Sequence, residues 1–138
     1  MVSIDERGLA DAEFRVAVES LCFPVELFHH LEHIRLAWIY ASAFTPEESS
    51  SRMAAAVASF AAHHGAARKY HHTITLAWMR LVQQALRSEH PSADFAAFVA
   101  AHPELLDQQL LSRYFSSERL QVPDARTSWL SPDLLPLP

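Results

Sequence analysis

The sequence predicts an all-α fold: a compact, single-domain bundle of five to seven helices with an ordered, proline-rich C-terminal tail. Three observations predict it. Glycine is scarce, with only Gly8 and Gly65, which argues against the many tight turns of a β-rich chain. Alanine and leucine, both strong helix formers, are abundant. Apolar residues recur at helical spacing, as in Met53, Val57 and Phe60 and again in Ile74, Trp78, Leu81 and Ala85. A length of 138 residues predicts one domain around one core.

The elements follow from local signals. A first helix is expected from about Leu9 to Ser20. Pro24 suits a first helical turn, where its missing N–H is no loss, and opens a long second helix over about Val25 to Phe44. "TPEE", from Thr45 to Glu48, combines a capping hydroxyl, a proline and acids in the first turn, so a third helix starts there. It runs to His64, with Gly65 as its stop. "AARK" links it to a fourth helix over about Tyr70 to Ser88. Ser92 is the expected cap of a short helix reaching about Ala101, and Pro103 opens a sixth helix to about Phe115. One more helical turn is placed near Asp124 to Trp129. The tail "SPDLLPLP" cannot be regular helix, and Trp129, Leu130, Leu134 and Leu135 predict that it packs on the body.

Composition narrows the function classes. A net charge of −5 carries no electrostatic footprint for nucleic acid. No apolar run reaches the length of a membrane span. The stretch "MVSIDERGLADAEF" lacks the apolar region of a secretory signal, and a lone cysteine, Cys22, excludes an internal disulfide or a CxxC zinc site. A cytoplasmic protein is the expectation, with a small molecule as its partner and neither nucleic acid nor membrane.

The unusual feature is histidine, nine in all, seven of them in "FHHLEH" and "HHGAARKYHH". Helical residues advance about 100° each, so positions three, four and seven apart share a face. By that rule His30, His33, His64 and His71 point inward, from three helices. His29, His63 and His72 point outward, as do Glu32 and Arg35. Glu26 extends a Glu-His-His stripe with His30 and His33. His90 and His102 each precede a proline in a turn.

Several buried imidazoles need partners, and a metal ion supplies one, because neutral imidazole ligates iron, zinc or copper. The i, i+3 pair His30 and His33, joined by His71, makes a three-histidine mononuclear site with an open position for water or substrate. His64 and Glu26 are further candidates. The sequence therefore predicts a small enzyme with one divalent transition metal, its chemistry leaning towards oxidation of a small molecule. Thr75, Tyr70 and Arg126 are the candidate catalytic groups. Thr75 sits one turn beyond His71, and an arginine such as Arg126 or Arg119 holds an anion bidentately. The alternatives are a non-catalytic helical binding module for a small ligand or a haem, and a purely structural histidine core.

The segments "FHHLEHIRLAWIYA", "KYHHTITLAW" and "LLSRYFSSERLQVPDARTSWLSPDLLPLP" together resemble a family of small bacterial all-helical proteins without an assigned activity. Its members read Phe-x-His-x-x-His-(Leu/Val)-Arg-x-Ala-Trp, then Tyr-His-Glu-Thr-Ile-Thr, then a Trp-x-x-Pro-Asp-Leu-x-Pro-Leu ending. The resemblance puts family positions on His30, His33, His71, Thr73, Thr75, Arg126 and Pro132. It departs at His72, where the family has glutamate, and it does not include His64.

Overall fold

The computed structural model describes residues 9–88 and 94–138. Within them lie seven α-helices: α1 (Asp11–Glu19), α2 (His30–Ala43), α3 (Pro46–His63), α4 (His72–Ser88), α5 (Phe95–Ala101), α6 (Ser117–Gln121) and α7 (Pro123–Thr127). Short 3₁₀ segments join them. No β-strand occurs among the described residues, and no helix there is long and apolar enough to cross a membrane.

Helices α2, α3 and α4 form the centre of the bundle. Their apolar faces supply Ile34, Leu36, Met53, Phe60, Met79 and Val82 to one continuous core, which α1 and α5 close with Phe14, Val18, Phe95 and Phe98. Gln83 crosses from α4 to the start of α3. Its amide nitrogen lies 2.9 Å from the Pro46 carbonyl oxygen, 2.9 Å from Ser49 Oγ and 3.1 Å from Ser50 Oγ. The ends of α3 are where local chemistry puts them. Thr45 Oγ1 accepts the Glu48 N–H at 3.2 Å, and Gly65 stops the helix at φ +71. A Cβ on Gly65 would meet nothing within 4 Å. Its glycine is therefore required by the left-handed backbone and not by space.

The expected long second helix is interrupted. Val25–Leu27 is a 3₁₀ turn, and the α-helix begins only at His30. His29 is extended, and its N–H donates to Glu32 Oε1 at 2.9 Å, one half of a capping box. The break lets Phe28 turn against Phe23 and Phe60. It also takes Glu26 off the helix that carries His30 and His33, and Glu26 is exposed.

Glu32 and Arg35, expected on the solvent side, are both buried. Arg35 is covered because α1 lies over that face: it pairs with Asp11 at 2.7 Å and stacks on Phe14 at 4.7 Å. The expected sixth helix is instead two 3₁₀ segments, Pro103–Leu106 and Gln108–Arg113. Asp107 divides them, its carboxylate taking the Gln109 N–H at 2.9 Å. Such a side chain offers the backbone an alternative to the helical ladder. Asp94 caps α5, accepting the Ala97 N–H at 2.8 Å; the expected cap Ser92 lies outside the described residues, as does His90. A helical segment unforeseen in the sequence, α6, precedes α7 and is capped by Ser116.

The C-terminal tail is ordered on the body, mainly by hydrogen bonds. Thr73 Oγ1, fully buried on α4, donates to the Ser128 carbonyl oxygen at 2.8 Å and accepts the Leu130 N–H at 3.1 Å. Asp133 accepts both the N–H and the hydroxyl of Ser116, which hold its carboxyl below the usual range. Arg119 Nε donates to the Ser131 carbonyl oxygen at 3.0 Å. Of the four apolar anchors expected, Trp129 and Leu130 are half-buried, whereas Leu134 and Leu135 are exposed.

Candidate functional site

The four histidines expected inside are buried or half-buried; of the three expected outside, His29 and His63 are exposed, but His72 is half-buried, its Nδ1 beside the Tyr70 hydroxyl. Their surroundings differ. The His30 ring packs on Trp78, and its Nε2–H donates to the Leu105 carbonyl oxygen at 2.9 Å. His71 sits immediately before the first residue of α4. Its Nδ1 accepts the Ile74 N–H at 3.1 Å, as a helix cap does, and its Nε2–H donates to the Leu120 carbonyl oxygen at 2.8 Å. Both nitrogens of His71 are thus engaged by backbone. His64 packs on Phe60, with its Nε2 buried and without a hydrogen-bond partner among the described residues.

His33 combines a buried, unpartnered ring nitrogen with a place in a cavity wall. Its Nε2 is sealed from solvent and has no hydrogen-bond partner among the described residues, yet the residue lines a cavity of about 340 Å³. The walls are apolar: Val25, Phe28, Val57, Phe60 and Ile74. The 3₁₀ turn over Ala67–Lys69 and the start of α4 complete it with Lys69, Tyr70, His71 and Thr75. Burial, with the nearby His30 charge adding to it, pushes the His33 imidazole down to about 4. A buried polar atom without a partner costs roughly 1–3 kcal/mol.

The remaining candidates divide. Tyr70 and Thr75 line this cavity with His33 and His71. The Tyr70 hydroxyl and His72 Nδ1 share a hydrogen bond at 2.8 Å. Burial raises its phenol, and a hydrogen bond with Thr75 acts in the opposite direction. Arg126 lies outside the cavity on α7, its Nη1 donating to the Arg68 carbonyl oxygen at 2.9 Å. His30 is not part of the lining. No group of three His, Cys, Asp or Glu side chains among the described residues is disposed to hold a metal ion. Sequence reasoning missed Lys69 and the apolar walls. Val57 and Phe60 read there as part of an apolar stripe, and nothing local distinguishes a core face from a cavity wall.

No family model, no curated protein and no solved structure matches the chain.

Proposed function

We propose that the protein is a non-catalytic binding module for a small, largely apolar molecule that carries a hydroxyl group. The observation that carries this reading is the 340 Å³ apolar cavity lined by His33, whose Nε2 is buried and without a hydrogen-bond partner among the described residues. A dry cavity of about 150 Å³ admits benzene, so this one suits a bicyclic body and is too small for a haem. Neutral imidazole presents either an N–H or a lone pair at Nε2, and a hydroxyl, being donor and acceptor, satisfies both.

Titration calorimetry with 2-naphthol tests it. The expected Kd is about 10–100 μM, from the usual ligand efficiency of so small a molecule. His33→Leu keeps the apolar volume but removes the hydrogen bond, and should weaken 2-naphthol by about 5–10-fold while leaving naphthalene unchanged. Wild-type protein that takes up no 2-naphthol, or equal 2-naphthol affinity in both proteins, overturns the reading.

A second reading, a metal-dependent enzyme with His30, His33 and His71 as ligands, is favoured by one observation. His30 and His71 both donate Nε2–H to backbone carbonyls, which is how a metal-ligating imidazole is oriented with Nδ1 towards the ion. It requires His71 to release the Ile74 N–H. Untagged protein produced with iron, zinc and copper is then expected to carry one equivalent of metal, lost in His30→Ala. Metal-free wild type under those conditions removes this reading.

A further inference from the structure

Tyr70 is a wall of two cavities at once. One is the His33 pocket. The other is an open groove of about 540 Å³ between the Ala67–Lys69 turn and α7, lined by Ala67, Arg68, Tyr70, Arg126 and Thr127. The Arg126 hydrogen bond to the Arg68 carbonyl uses one guanidinium nitrogen and sets the group along this groove. Arg15, Arg35 and Arg52 each pair with a carboxylate. Arg68 and Arg126 pair with none among the described residues. Lys69, next to Arg68 in the chain, lines the His33 pocket. A chain of net charge −5 thus places two unpaired arginines in a groove that shares Tyr70 with an apolar pocket, itself lined by Lys69.

Unpaired guanidinium groups beside a cavity are receptors for planar anions, because the fork of N–H donors matches a carboxylate. Resting on the pocket reading above, we infer that the ligand is an amphiphilic carboxylate. Its apolar body fills the His33 pocket, and its carboxylate passes the Tyr70 ring to reach Arg126 and Arg68. His33 reads the buried end, and the arginines read the exposed end.

The probe pair is 2-naphthol and 6-hydroxy-2-naphthoate, which share the hydroxyl for His33 and differ in a carboxylate at the far end. Calorimetry at low salt should show the naphthoate binding at least about 5-fold more tightly, with that advantage shrinking in about 0.5 M salt as exposed charges are screened. Arg126→Gln should abolish the advantage and leave 2-naphthol affinity unchanged, which also shows that the pocket is intact. Naphthoate binding no tighter than 2-naphthol, or an advantage that survives Arg126→Gln together with Arg68→Gln, overturns the inference and leaves the pocket reading standing. Failure of both probes overturns both.

Discussion

Between pH 7 and pH 4.5 the protein is expected to lose about 2–3 kcal/mol of folding stability through His33 alone, and His33→Leu should remove that loss. The His33 pKa is pushed down from 6.5 to about 4 in the folded protein. Below pH 6.5 the unfolded chain therefore binds a proton that the folded chain refuses, so stability falls as pH falls, and the loss is complete near pH 4. The carboxyls of Glu19 and Asp133 also lie below their ordinary values. Their contributions are present above the unfolded carboxylate pKa and are lost only as pH falls below about 4.5. The window from pH 6.5 to 4.5 thus isolates His33 among the groups with a resolved shift. Urea midpoints of wild type and His33→Leu across that window measure it. At pH 7 the leucine variant should be the more stable by about 1–2 kcal/mol, since it removes an unpartnered buried polar atom. A pH dependence identical in the two proteins would mean that His33 is solvated. Higher stability with weaker 2-naphthol binding would mark His33 as a residue kept for its ligand at the expense of the fold.

Arg35→Ala is expected to destabilise the protein by about 2–4 kcal/mol. The Arg35 Nε and Nη2 donate to Asp11 Oδ1 at 3.0 and 2.7 Å, and Nη2 also donates to the Leu9 carbonyl oxygen at 3.0 Å. The guanidinium lies over the Phe14 ring, and the side chain is only 3% exposed. Truncation removes the contacts that tie α1 to α2 and leaves a void beside Phe14. Breaking a buried ion pair from one side costs about 3–5 kcal/mol, and Asp11, at 28% exposed, recovers part of that by hydration. Arg35→Lys should restore less than half of the loss, because an ammonium cannot reproduce the forked geometry over an aromatic face. Urea unfolding of both variants measures the effect. A loss in Arg35→Ala of under about 0.5 kcal/mol would show that α1 is held by its apolar face alone.

Legibility in the sequence followed the range of the interaction. The all-helical class was readable because periodicity and scarce glycine act within single helical turns. Thr45, Pro46 and Gly65 bounded α3 correctly for the same reason: a cap is a contract among residues three or four apart. The second helix was read as continuous although its stop signal was also local, the His29 and Glu32 pair, because histidine is not a customary N-cap residue. Asp107 divided the expected sixth helix in a similarly local way, through a side chain that competes with the ladder.

The histidines show the opposite limit. Helical spacing correctly turned His30, His33, His64 and His71 towards the interior, but it carried no information about what each ring meets there. His30 finds the carbonyl of Leu105, 75 residues away, and His71 finds that of Leu120, 49 residues away. A backbone carbonyl belongs to every residue type, so no pattern of side chains announces it. Arg35 was misplaced on the same ground: its face is polar by sequence, and only the docking of α1 buries it.

By itself, then, the sequence determined the all-helical class, the bounds of α3 and the inward side of His30, His33, His64 and His71, since these depend on neighbours within one or two turns. Tertiary packing alone decided that His30 and His71 are satisfied by backbone while His33 is left facing an apolar cavity. Those outcomes rest on how α2, α3 and α4 meet the C-terminal segments, through carbonyl groups and voids that no residue code specifies.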